Sequence, residues 1–311
     1  MKTFFRIFNN GLYGVQVENI GFPVTNPSYI PDAYLKNGEF VVMRTCHGLG
    51  DWALLSAIPR LLKNKYDGCK VYIPSKRMLK NLFGEMLNNW GYGTFDASEI
   101  AEIVFKSNPY VDDFVDSHDG EIFHDHYKIF DEGNDRISLV EQMMRFWQLK
   151  DSDMVDTTPD FYPNESEKNF FNQFISHHKL NSKYSYVSVS STFENTANPE
   201  ILLNKIKEKD SEDMKWIYYG EVPLKDSMLN FLDAIEIKDM GLTIREQQML
   251  KVNADYNFGN ETGMNLWTTK YSETYVLNNK YYGPLHGGKN QGKVRERPFK
   301  SGNFVNGVNY L

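Results

Sequence analysis

Residues 45–55 read TCHGLGDWALL, which sets Gly48, Gly50 and Asp51 between an apolar run and a helix-like one. On the N-terminal side, Glu39–Arg44 has the composition of a short apolar strand. On the other side Leu54, Leu55, Ile58, Leu61 and Leu62 recur at helical spacing between Asp51 and Lys65, and Lys70–Ile73 is strand-like again. Strand, helix, strand is a βαβ unit. The glycines mark its first turn, where the backbone bends sharply and a ligand can approach closely. Two chemistries fit these letters. Asp51 in the first helical turn is favoured by the helix dipole and could accept a proton from a hydroxyl nucleophile, although an acid there also serves as an ordinary helix cap. Alternatively Gly48, Gly50 and Ala53 match the dinucleotide fingerprint G-x-G-x-x-A, which wants an acid about 20 residues on. The second strand instead runs into Pro74, Ser75 and Lys76, so that reading needs Lys76 and Arg77 to meet a ribose phosphate, as in NADP.

Outward from this unit the alternation continues. Met78, Leu79, Leu82, Phe83, Met86 and Leu87 predict an amphipathic helix ended near Gly91. Strands follow around Ile103 and Phe114, and Leu139–Trp147 closes this half as a helix. Before it, Phe4–Phe8 and Leu12–Val17 flank Asn9-Asn10-Gly11, a hairpin turn, and residues 1–37 read as an appendage. Residues 151–163 are rich in Asp and Pro without helical periodicity, the composition of a linker. They divide a first domain, 38–150, from a second, 164–311, in which Tyr186–Ser190, Trp216–Gly220, Ala234–Ile237, Tyr256–Gly259 and Thr274–Leu277 predict strands. Thr243–Glu246 has the T-x-x-E form of a capping box. The fold class is therefore α/β: two Rossmann-like, doubly wound domains facing a cleft, with ligands beyond the carboxyl ends of the strands.

The 311 residues carry a formal charge of −7 and a pI near 5.6. That balance argues against nucleic acid as a partner, since binding phosphate backbones needs a basic face. Cys46 and Cys69 are too few for a disulfide framework and read as free thiols. Arg6, Asn9 and Asn10 interrupt the N-terminus before an apolar signal region forms, and no run approaches the ~20 apolar residues of a membrane span. A cytoplasmic protein with at most peripheral membrane association is expected.

A second informative stretch is ADYNFGNETGMNLW, residues 254–267. A strand there meets a helix start, and Gly259, Asn260, Glu261, Thr262 and Gly263 would gather backbone N–H groups, a hydroxyl and a carboxylate, a seat for a diphosphate and its sugar. A plain helix cap has the same letters. Lesser candidates are His124 and His126, which lack a third metal ligand at a recognisable spacing, the adjacent Cys46 and His47, whose side chains point apart, and Tyr281 and Tyr282. The tail adds Lys289, Lys293, Arg295, Arg297 and Lys300 against one acid, Glu296.

Taken in order, these pieces resemble glycosyltransferase family 9, which includes the bacterial heptosyltransferases. VVMRTCHGLGDWALLSAIPRLLKNKYDGCKVYI is similar to the family's opening strand, G-x-G-D or S-x-G-D turn, Pro-containing helix and second strand. KSNPYVDDFVD resembles its N-P-Y-I-D-E segment, and LVEQMMRFWQL with the acid-bearing stretch to Glu167 resembles the helix and linker before its second domain. REQQMLKVNADYNFGNETG resembles its helix followed by ADLVVGNDSG. The resemblance implies a GT-B fold and inverting, metal-independent transfer of a heptose-like or other hexose sugar from a nucleoside-diphosphate donor to a glycan or lipopolysaccharide-type acceptor. No cofactor is implied beyond the nucleotide-sugar co-substrate. Asp51 matches the catalytic base, with Gly48 and Gly50 in its turn. The donor would lie against Ser190, Ser191 and Thr192 and against the 259–263 turn. Three departures stand out: Glu261 replaces an Asp, Leu266 a His, and Thr196 falls where a Lys is common. They keep open a noncatalytic nucleotide-sugar or glycan-binding relative, beside the NADP-dependent oxidoreductase.

Overall fold

The computed structural model describes residues 2–8, 11–17, 24–25, 30, 32–44, 48–83, 96–118, 122–123, 139–154, 156–180, 183–189, 199–260, 263–277 and 308–310. They divide into two compact units, with the boundary between Tyr162 and Pro163.

In the first unit, β1 (Lys2–Phe8) and β2 (Gly11–Val17) form an antiparallel hairpin closed by the pair Phe8 and Gly11. Short strands β3 (Val24–Thr25) and β7 (Ile122–Phe123) pair in parallel. The central element is a three-stranded parallel sheet of β4 (Glu39–Val41), β5 (Lys70–Pro74) and β6 (Asp113–Val115), in that spatial order. Strand order here follows chain order, so among the described residues the reversal that defines double winding is absent from this sheet. Helices α1 (Asp32–Asn37), α4 (Lys76–Phe83) and α6 (Leu139–Phe146) also belong to this unit. Apolar faces bury Met78, Leu79, Leu82 and Phe83 of α4, and Trp147 packs edge-on to Phe40 of β4 with centroids 5.9 Å apart.

Three local expectations are corrected or refined. The segment expected as one helix from Asp51 to Lys65 is two, α2 (Leu49–Leu55) and α3 (Ile58–Lys65). Pro59 has no N–H to give a carbonyl four residues back and its ring crowds that carbonyl, so the helix breaks just before it. Ser56 at the break donates to the Ala53 carbonyl at 2.5 Å and accepts the Asp160 N–H at 2.7 Å. Ile103, expected in a strand, lies in helix α5 (Ile100–Phe105); the buried residues Ile100, Ala101, Val104 and Phe105 follow a period near four, not two. Within residues 151–163, Thr157, Thr158, Asp160 and Phe161 are buried, and Asp160 receives the Arg60 guanidinium at 2.8 Å. Residues 151–154 and 156–162 belong to the first unit, and Pro163 to the second.

The second unit holds α7 (Glu165–His177), β8 (Tyr184–Val189), α8 (Pro199–Lys209), β9 (Lys215–Gly220), β10 (Ala234–Glu236), α9 (Ile244–Val252), β11 (Tyr256–Asn260), α10 (Gly263–Leu266), β12 (Glu273–Leu277) and β13 (Val308–Tyr310). Its six strands are parallel and ordered β10-β9-β8-β11-β12-β13. Counted from β8 this is 3-2-1-4-5-6, the doubly wound order, with its reversal between β8 and β11. Alternating side chains feed two apolar layers. Val187, Trp216, Tyr218 and Phe258 pack with Leu202 and Ile206 of α8, while Tyr184, Tyr186 and Ile217 pack with Phe174 of α7 and Leu250 of α9. A sheet covered on both faces explains why side chains of both parities are buried along its strands, the polar Ser185, Asn257 and Thr274 included.

Candidate functional site

In the first unit Gly48 is the N-cap of α2, extended at φ −109° and ψ 144°, and Gly50 and Asp51 occupy the first turn. The buried guanidinium of Arg44, just past the end of β4, places Nη2 3.6 Å from Oδ1 of Asp51. The second carboxylate oxygen lies over Gly48, where an added Cβ would already be in van der Waals contact at 3.4 Å. The Asp51 side chain keeps 13% of its surface open to solvent. A carboxylate oriented from behind by a buried cation and open in front suits a group that must accept a proton. Residues 45–47, including Cys46 and His47, lie outside the described residues.

The second unit presents its own site by topology. Ligands of doubly wound sheets settle beyond the carboxyl ends of the strands where the strand order reverses, here the ends of β8 and β11. The two backbones approach closely, since a Cβ on Gly259 would overlap the Ser188 carbonyl oxygen. Glycine is required there. Buried Asn265 of α10 donates through Nδ2 to the Asn260 carbonyl at 2.7 Å, tying the strand end to the helix that follows. Its Oδ1 accepts from Nζ of Lys251 at 2.5 Å. Lys251 is 1% exposed, and burial alone pushes its ammonium down to about 7. Gly259 and Asn260 thus end β11, and Gly263 begins α10. Glu261, Thr262 and Ser190, Ser191 and Thr192 lie outside the described residues, as do Thr196, His124, His126, Tyr281, Tyr282 and the basic tail.

Two further positions bear on the alternatives. Leu266 is fully buried. Lys76 pairs with Asp96 at 3.1 Å and with Glu99, and Arg77 lies 3.4 Å from Asp116, so the cations needed for a ribose phosphate already have carboxylate partners. Among the described residues no three His, Cys, Asp or Glu side chains are placed to hold a metal ion, and no helix is long and apolar enough to cross a membrane.

The sequence reading missed Arg44, Lys251 and Asn265. Arg44 ends the apolar run VVMR, and a cation that terminates a buried strand at a Gly-rich turn is a usable signal. Lys251 sits inside the apolar stretch MLKV, where a lysine reads as a solvated helix residue, and Asn265 resembles any polar residue of a first helical turn.

No protein-family model matches the chain, and no curated protein matches it. Among solved structures it is similar to the glycosyl transferase family 9 protein from Veillonella parvula DSM 2008, at a TM-score of 0.52 and 11% identity over 88% of this chain and 85% of that one. The chain is therefore a mixed α/β protein with parallel sheets that shares its fold with a family 9 glycosyltransferase.

Proposed function

We propose that the protein is an inverting glycosyltransferase with Asp51 as general base. The observation that carries this reading is the Asp51 carboxylate, braced by buried Arg44 at the strand-to-helix turn of a chain with a family 9 fold. In the proposed reaction Asp51 takes the proton of an acceptor hydroxyl as that oxygen attacks the anomeric carbon of a nucleoside-diphosphate sugar. The bond from that carbon to the diphosphate breaks, its electron pair leaves on the phosphate oxygen, and the configuration inverts. The leaving diphosphate gains charge, which donors and cations at the β8 and β11 ends can stabilise without a metal. The transferred sugar would be a heptose or a hexose, and the acceptor a glycan or lipopolysaccharide-type glycolipid, reached by peripheral association at most.

A second reading, a noncatalytic nucleotide-sugar or glycan-binding protein, is favoured by Leu266, whose buried apolar side chain offers the site no polar group. One variant separates them. Asp51→Asn should leave nucleoside-diphosphate affinity within about twofold and lower sugar transfer about 10²- to 10⁴-fold, the usual contribution of a general base. Undiminished transfer by the folded variant would falsify the base assignment, and binding without any transfer by wild type selects the second reading.

A further inference from the structure

Lys251 is a buried amine with no carboxylate beside it among the described residues. Its Nζ meets the neutral Asn265 Oδ1 at 2.5 Å and stands 5.0 Å from the ring centroid of Tyr186 on β8. Among the described residues no carboxylate pairs with it, and no neighbouring charge contributes to its lowered proton affinity. Tyr186 is the titratable group facing it from β8, and burial raises the ionisation of that phenol well above its ordinary range, so it stays neutral. On the same helix Arg245 is occupied by Glu167 of α7. Burying an ammonium without an anion is unfavourable where an apolar side chain would not be, so packing alone gives no reason for a lysine here.

Its direction supplies one. The Lys251 carbonyl accepts from Asn257 Nδ2 at 2.8 Å, whereas its Nζ reaches Asn265, which holds the Asn260 carbonyl three residues further along β11. The side chain therefore runs along β11 toward its carboxyl end, under the seam with β8 where the strand order reverses. We propose that Lys251 is a positioning residue that, through Asn265, sets the β11 end as the anion-holding side of the nucleotide site, with the diphosphate as the counter-charge the lysine lacks. This rests on the donor site proposed above and adds the element that makes it select phosphates.

The test compares dissociation constants of ADP, GDP, UDP and CDP with those of the corresponding nucleosides, by calorimetry, for wild type, Lys251→Met and Lys251→Gln. Thermal unfolding of each accompanies the binding data. Wild type is expected to prefer one nucleoside diphosphate to its nucleoside. The Met variant is expected to lose about tenfold or more of the diphosphate affinity, as removal of a charge within several ångströms implies, while nucleoside affinity changes less than twofold. A merely structural lysine would not move that ratio. Should the Met variant not fold, the Gln variant, which retains a donor for Asn265 without the charge, is read in the same way. Folded variants that keep the wild-type ratio overturn the role of Lys251 and leave the donor site standing. Wild type that binds none of the four diphosphates overturns both.

Discussion

At the scale of single residues, Lys251 and Gly259 carry costs that the fold accepts for the sake of one strand end. Burial pushes the Lys251 ammonium from 10.5 to about 7, so between those values the unfolded chain holds a proton that the folded chain does not. Where the unfolded state binds more protons, stability rises with pH. Lys251 thus destabilises most below about pH 7, and the penalty is relieved as pH climbs from there toward the ordinary lysine range. Urea unfolding from pH 6.5 to 9.5 should show wild type gaining stability relative to Lys251→Met, with the gap narrowing steadily upward; a constant gap would mean that the lysine is solvated. Gly259→Ala should cost about 3 kcal/mol or somewhat more, the upper part of the usual overpacking range, because the obstacle is the backbone carbonyl of Ser188 and cannot swing away. Neither residue declared itself in the sequence to the same degree. Gly259 was legible as part of a strand-to-helix turn. Lys251 was not, because its meaning lies in what surrounds it after folding.

At the scale of elements, helices were read well where caps and periodicity are local. Thr243 and Glu246 form the expected capping box of α9, with the Thr243 hydroxyl accepting from the Glu246 N–H and the Glu246 carboxylate accepting from the Thr243 N–H. The α2–α3 break was missed because apolar spacing continues across it and only Pro59 signals the interruption. The tie between α7 and α9 was equally hidden. Glu167 completes the cap of α7 at Asn164 and also receives the buried Arg245 guanidinium through both oxygens, at 2.6 and 2.9 Å. These residues are far apart in sequence and no periodicity links them. Removing one member strands a buried charge, which typically costs 3–5 kcal/mol. Arg245→Met is therefore expected to lower unfolding stability by about 4 kcal/mol, and Glu167→Gln by less, since the amide still accepts from Arg245 and retains part of the cap. A larger loss for Glu167→Gln than for Arg245→Met would imply that the cap, not the ion pair, dominates.

At the scale of the whole molecule, the strands of the second unit were legible one by one, yet their spatial order was not. The 3-2-1-4-5-6 arrangement is made of pairings such as Phe258 with Val187, between segments separated by two intervening strands and two α-helices, and local patterns do not encode such partners. That order decides where a nucleotide should bind, because it places the reversal at the ends of β8 and β11. The two nucleotide readings then differ in which unit responds. A nucleoside diphosphate received at the reversal should slow amide exchange in peptides covering Tyr256–Asn260, α9 and the end of β8, and leave Glu39–Val41 and α2 unchanged. An NADP site on the Gly48-Gly50 turn should do the opposite. At a ligand concentration of about 100 times the dissociation constant the bound unit gains roughly 2.7 kcal/mol, which corresponds to about a hundredfold slowing wherever exchange requires unfolding of that unit. Hydrogen exchange with UDP, GDP, ADP, CDP and NADP in turn is the measurement, and protection confined to β4 and α2 would move the nucleotide to the first unit and remove the donor role from the β11 turn.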